Sequence, residues 1–413
     1  MRAPGEAPGT FALESAMDEM AYKHKIDPVE FRIMNFADKD PTSKHDFSAN
    51  FLLECYKTGA EKFGWSARKM EPRQNKKGRY LVGYGMATAT YPAGRSAATV
   101  KVQMKSNGDV ILMTASIDIG TGTYTVLAQT ASDALGIPVD RIDVRIGDSS
   151  LPPSPLAGGS QTTASIHPAA LEACILLRKD LTAMAIADTA SKLNQRKSEE
   201  IGYGAGKLFV IGDEKISDSY VDILTRGKQT EMEACATTLP LSGAGLTVPG
   251  ARCTPTEIPA EQNSDAKQYS FHSFGAQFVE VWVDEDLGTI RIARFTSVHD
   301  VGRIMNEKTA RSQIIGGVIF GIGAALMEAT EYDKRWGNPV TRTLADYHVP
   351  VNLDVPPIDV YFIGKPDPHI SPIGARGIGE IGITGVAAAI ANAVFNATGK
   401  RYRDLPLTPD KLM

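Results

Sequence analysis

The spacing of apolar residues changes character near residue 80. Before it, Phe11, Leu13, Met17 and Met20 recur at roughly helical intervals between Phe11 and Lys23, which predicts a helix. Asp27-Pro28-Val29-Glu30 supplies a capping aspartate and a proline for the first helical position, so a second helix opens there. A third is expected from about Phe51 to Phe63. Between Gly64 and Tyr80 the run from Arg68 to Lys77 is almost wholly polar and reads as a solvated linker, placing a domain boundary between residues 1–75 and 76–413.

Beyond this linker the period becomes two. Segments Ala97 to Lys105 and Asp109 to Ser116 alternate apolar and polar residues around Ser106-Asn107-Gly108, which predicts a hairpin. A helix from Thr123 to Leu135 and a strand from Ile142 to Ile146 follow. Gln277 to Val283 and Thr289 to Val298 predict a second hairpin, succeeded by helices from Glu307 to Thr330 and from about Gly385 to Asn396. Two blocks of strand pair followed by helix imply a repeated architecture without a sequence repeat, and the fold class is α+β. Glycines and prolines between about Gln195 and Phe271 predict long loops.

A chain of 413 residues can bury a large core, and a formal net charge of -4 leaves no basic footprint for nucleic acid. Nothing at the N-terminus reads as a secretory signal. The apolar stretch from Ile314 to Leu326 is too short to span a membrane, and its four glycines suit tight helix packing. Cys55, Cys174, Cys235 and Cys253 lack the close spacing of a zinc site or an iron–sulfur cluster and read as isolated buried thiols. The seven histidines show no metal spacing either; His272, His299 and His369 read as structural or exposed.

Candidate chemistry concentrates in four small-residue segments, each leading into a predicted helix: Asp118 to Thr123, Gly158 to Ser165, Asp300 to Asn306, and Gly374 to Gly385 around Glu380. Helix N-termini offer unpaired amides and a positive dipole end, so four of them suit one extended anionic ligand. Gly120-Thr121-Gly122 alone could equally be a plain strand-to-helix turn, and Glu380 could simply complement a helix dipole. Gly377, Gly379 and Gly382 fit the dinucleotide pattern GxGxxG, but the preceding Asp367-Pro368-His369-Ile370-Ser371-Pro372 cannot be the buried strand that pattern requires.

Taken in order, Met1-Arg2-Ala3-Pro4-Gly5, Gly120-Thr121-Gly122, Thr162-Thr163-Ala164-Ser165, Asp300-Val301-Gly302-Arg303 with Gln313, and Arg376-Gly377-Ile378-Gly379-Glu380 resemble the molybdenum-binding large subunit of the xanthine dehydrogenase and aldehyde oxidase family. The likeness is to its C-terminal portion, and among members to bacterial aldehyde oxidases that use molybdopterin cytosine dinucleotide. It implies that Glu380 is the catalytic base. It further implies that Gly120, Thr121, Gly122, Thr163, Ala164, Arg303, Ile304, Met305, Asn306, Glu307, Lys308, Thr309, Gln313, Arg376, Gly377, Ile378 and Gly379 line the cofactor, with Arg95 also in reach. No side chain would ligate the molybdenum, which the pterin dithiolene holds. Residues 1–75 then correspond to the end of a first molybdopterin-binding domain and 76–413 to a second.

The activity implied is oxidation of an aldehyde to a carboxylic acid with water as the oxygen source. Alternatives are hydroxylation of purines or other N-heterocycles, or a truncated cofactor-binding remnant without turnover. Because the chain carries no iron–sulfur or flavin motif, the resemblance implies an iron–sulfur subunit, an FAD subunit and a separate N-terminal half of the molybdenum subunit as partners. The compartment stays open between bacterial cytoplasm and periplasm.

Overall fold

A computed structural model describes residues 1–239 and 268–413. The chain runs through α1 (Glu6–His24), α2 (Pro28–Met34), β1 (Asp46–Phe47), α3 (Leu52–Phe63), β2 (Lys76–Lys77) and β3 (Tyr80–Pro92). There follow β4 (Ala98–Lys105), β5 (Val110–Met113), α4 (Thr123–Leu135), β6 (Ile142–Arg145) and α5 (Thr162–Ala187). Next come β7 (Ile201–Gly204), β8 (Lys207–Val210), β9 (Asp213–Ser219), α6 (Tyr220–Arg226) and β10 (Glu231–Thr238). The last are β11 (Tyr269–Ser270), β12 (His272–Asp284), β13 (Thr289–Asp300), α7 (Glu307–Leu326), β14 (Ile358–Phe362) and α8 (Val386–Thr398).

Two compact units emerge, and both are discontinuous in sequence. The first comprises residues 1–93, 269–366 and 376–413; the second comprises 94–268 and 367–375. The polar stretch between Gly64 and Tyr80 therefore lies within the first unit. Arg73 anchors it there, donating its amide to the Asn396 carbonyl at 2.9 Å and its guanidinium to Glu285.

In the first unit a five-stranded sheet has the order β14-β13-β12-β3-β2. β12 and β13 form an antiparallel hairpin, β14 lies parallel to β13 after the α7 crossover, and α8 packs on β3 and β12. In the second unit the order is β10-β4-β5-β6, with β4 and β5 antiparallel, β6 parallel to β5 after α4, and α5 packed on β10 and β4. The two units thus repeat one arrangement, strand pair, helix, parallel strand and covering helix, which extends the repetition expected from sequence. A three-stranded sheet of β7, β8 and β9 completes the second unit.

β3 escapes a reading by alternation because small residues fill it. A Cβ on Gly83 would lie 1.9 Å from the Ala393 carbonyl oxygen and one on Gly85 2.1 Å from that of Ala389, so α8 rides directly on the strand backbone. β12 outruns its predicted limits because most of it is buried on both faces, which erases the polar positions. The described part of the predicted loop region 195–271 is largely ordered secondary structure instead, β7 to β11 with α6. Its glycines mark tight turns, as at Gly206 and Gly212 with φ of 73° and 93°. The rest of that region, 240–267 with Cys253, lies outside the described residues. Cys55 and Cys174 are free and buried as expected, but Cys235 is disulfide-bonded, which corrects its reading as an isolated thiol.

α7 is long and apolar enough by length and composition to cross a membrane. It behaves as a core helix of the first unit: Ile314, Val318, Ile322 and Ala325 are buried in the sheet cluster. A Cβ on Gly317 would lie 2.5 Å from the Gly382 carbonyl carbon, so its glycines seat the Glu380 loop.

Candidate functional site

Within the first unit, the Glu380 loop is pinned through its backbone. Ser273 donates to the Gly377 carbonyl at 3.0 Å, Gln277 to the Thr384 carbonyl at 3.2 Å, and the Gly385 amide to Thr10 at 3.1 Å. Arg376 donates its amide to Val301 at 2.9 Å. Its guanidinium is fully buried in an ion pair with Asp300 and also reaches the Ala49 and His272 carbonyls. Asp300 accepts from the Phe51 amide at 2.9 Å with its other oxygen. The Arg376 guanidinium is thus held inside the unit because a buried aspartate demands a cation.

Glu380 itself is half-buried. Its Oε1 accepts the Ala3 amide at 3.0 Å. Burial, then the neighbouring Glu380 carboxylate, push the Tyr91 phenol above its usual range. Arg2 faces the carboxylate as well: burial pulls its guanidinium down while the charge of Glu380 pulls it up. Arg2 also donates to the Gln313 carbonyl at 2.8 Å and stacks over Phe320. The N-terminal segment thus brings Gln313 and Glu380 to one corner.

Under the loop, His299 is fully buried with its Nε2 2.7 Å from Ser297 Oγ, and Ser297 donates to Gln277 at 2.7 Å. Since the serine proton is spent on Gln277, His299 must donate from Nε2, and burial pushes its pKa down to about 3. It is a neutral structural group, as read from sequence.

At the start of α7, Asn306 caps the helix by accepting the Thr309 amide at 3.0 Å. Glu307 pairs with Arg311 at 3.1 Å. Ile304 packs on the core and Met305 is half-buried. Arg303 and Lys308 are exposed, and among the described residues neither forms an ion pair.

In the second unit, Asp118 turns back onto its own loop. Its Oδ1 accepts the amides of Gly120 and Thr121 at 2.8 Å and of Gly122 at 3.2 Å. Burial pushes this carboxyl up, but the Gly120, Gly122, Thr121 and Tyr124 amides together hold it below the usual carboxylate range. The amides expected to meet an anion here already have one, and the Thr121 hydroxyl, 2.9 Å from that of Thr123, also donates to Asp118 Oδ1 at 3.3 Å. Thr163 and Ala164 lie in the first turn of α5, which no side chain caps. Ser96 ties that turn down, through Gln161 at 2.7 Å and Ser165 at 2.9 Å. Arg95 is buried and donates to the Leu239 carbonyl.

This donor chemistry fits a phosphate-bearing cofactor. In the first unit, Arg303 and Lys308 at the α7 start are exposed cations that form no ion pair among the described residues, chemistry that suits phosphate; in the second unit, taken by itself, the first turn of α5 has no side-chain cap.

The sequence profile of the molybdopterin cofactor-binding domain matches residues 58–356, and a second profile of the same description matches residues 1–36. The chain belongs to the molybdopterin cofactor-binding family. It is 41% identical to the aldehyde oxidoreductase molybdenum-binding subunit PaoC of Escherichia coli O157:H7, over all of this chain and 52% of that protein. The putative xanthine dehydrogenase molybdenum-binding subunit XdhA of Escherichia coli K12 is 33% identical over the same shares. The chain thus spans about half the length of these curated relatives. Among solved structures, aldehyde oxidoreductase from Desulfovibrio desulfuricans has the same fold, with a TM-score of 0.75 and 24% identity over 100% of this chain and 41% of that one. Quinoline 2-oxidoreductase from Pseudomonas putida 86 gives 0.81 and 22% over 98% and 51%.

Sequence reasoning missed Tyr91, and took Arg2 and Ala3 as family markers without a role. Tyr91 lies four residues before Arg95, but a phenol at a strand end carries no local sign of what it faces.

Proposed function

We propose that this chain is the cofactor-binding portion of a molybdenum hydroxylase that oxidises aldehydes to carboxylic acids, with water as the oxygen source. The whole-chain match to a subunit named for aldehyde oxidation carries the substrate class. When bound, the molybdenum cofactor would take up the two electrons removed from the substrate carbon. Glu380 is the base, receiving a proton on its carboxylate from the attacking oxygen. Its loop is fixed by backbone bonds, so the carboxylate arrives oriented at no cost during reaction.

The cofactor form proposed is the cytosine dinucleotide. Arg303 and Lys308 would neutralise its phosphates, with the backbone of Arg376, Gly377, Ile378 and Gly379 and the side chain of Gln313 beside the pterin. Gly120, Thr121, Gly122, Thr163 and Ala164 are assigned to the same cofactor on the family resemblance, and so are Ile304, Met305, Asn306, Glu307 and Thr309. An iron–sulfur subunit, an FAD subunit and the remaining half of the molybdenum subunit are proposed as partners. A purine substrate has the lesser support of the 33% identity to a putative xanthine dehydrogenase subunit.

Glu380→Gln keeps the shape and removes the base. Aldehyde turnover should fall by at least about a hundredfold with molybdenum content unchanged; near-normal turnover in that variant would exclude Glu380 as the base.

A further inference from the structure

Helix α1 is built inside out. Its inward face is polar: Thr10, Glu14 and Asp18 are buried there beside Ala21, and all three are satisfied within the first unit. Thr10 accepts the Gly385 amide at 3.1 Å, and Glu14 pairs with Arg32 of α2 at 2.6 Å and accepts the Thr88 amide of β3 at 2.8 Å. Asp18 pairs with Arg401 at 2.5 Å. The outward face is apolar. Gly9, Ala12, Leu13, Ala16 and Met20 are all exposed there, Leu13 by 60% and Met20 by 43%. Their spacing of i, i+3, i+4, i+7 and i+11 makes one continuous stripe, with Glu6 and Glu19 at its edges and Glu19 held by Arg403 at 2.8 Å. A surface helix that ends at water turns its stripe to the core and its charges outward; α1 does the reverse, which marks the outer face for burial against another surface.

The family matches say which surface. The profile over residues 1–36, which holds α1 and α2, is separate from the one over 58–356. A stretch of that length falls short of the roughly 40 residues below which a chain rarely closes a core of its own, so the domain it belongs to draws on further polypeptide. Relatives aligned over all of this chain are about twice as long, the alignment covering 52% of each. We propose that the outward stripe of α1 is where the remaining half of the molybdenum subunit docks, with Leu13 and Met20 as its apolar anchors. This rests on reading that half as a partner. The helix is continuous with the segment whose Ala3 amide holds the Glu380 carboxylate, so the docked half would press on the element that orients the candidate base.

The test is affinity purification of the full chain, tagged, after co-expression with the remaining half of the molybdenum subunit, with a titration of the two purified chains. Leu13→Glu and Met20→Lys place a charge in the stripe, and Leu13→Glu should weaken pairing by at least about thirtyfold. The unfolding midpoint of the free chain should stay where it is, because both side chains are exposed in it. Leu13→Met should pair normally. So should Leu287→Asp, an equally drastic change at a 56% exposed residue in the turn between β12 and β13. Wild-type affinity in both charged stripe variants would overturn the proposal. It would also fall if the free chain self-associates and Leu13→Glu makes it monomeric with pairing intact, since the face would then serve a second copy. Failure of the wild-type chain itself to pair would instead remove the partner reading on which the proposal rests.

Discussion

Asp118-Ile119-Gly120 and Asp300-Val301-Gly302 occupy equivalent places in the two units, at or just past the end of the second strand of a hairpin and before the crossover helix. Both glycines have positive φ, 98° and 74°. The aspartates nevertheless do opposite work. Asp118 is half-buried and folds onto the amides of its own turn, replacing a helix cap. Asp300 is fully buried and reaches 76 residues along the chain to Arg376, leaving the capping of α7 to Asn306. A three-residue pattern sets the bend of the chain; burial decides whether its carboxylate is spent locally or on the architecture of a distant loop.

The largest expected effect separates the two. Arg376→Met strands a buried carboxylate and should cost about 3–5 kcal/mol in denaturant unfolding, releasing the Glu380 loop as well. Asp118→Ala removes only a cap, about 1 kcal/mol, so equal losses would erase the distinction. The pH dependence sharpens it further. Asp118 has a depressed folded pKa, so its contribution is present above the unfolded value of about 4 and disappears as pH falls through the folded value. The stability gap between wild type and Asp118→Ala should therefore close in acid; a gap constant down to pH 2 would contradict the amide nest. Smallest of all, Asn306→Ala should cost about 0.5–1 kcal/mol, seen as faster amide exchange in the first turn of α7.

The same contrast explains what could be read from sequence. Local signals carried far: α4 falls on the predicted Thr123 to Leu135, Asp27 caps α2 through the Val29 amide at 2.8 Å, and both hairpins stand. Long-range arrangements did not show. β3 is invisible because Gly83 and Gly85 answer to α8, some 300 residues on, and the division into units is set by contacts no linker marks. Glu380 stands out in the sequence through its glycine surroundings, whereas the Ala3 amide that its carboxylate accepts lies 377 residues away and carries no local sign of that contact.

The most direct test of the functional account is the molybdenum and acid-released nucleotide content of this chain, purified without chelators after co-expression with iron–sulfur and FAD subunits and the remaining half of the molybdenum subunit. Near-stoichiometric molybdenum together with CMP is the expected result. Protein that assembles with those partners yet carries neither would contradict it.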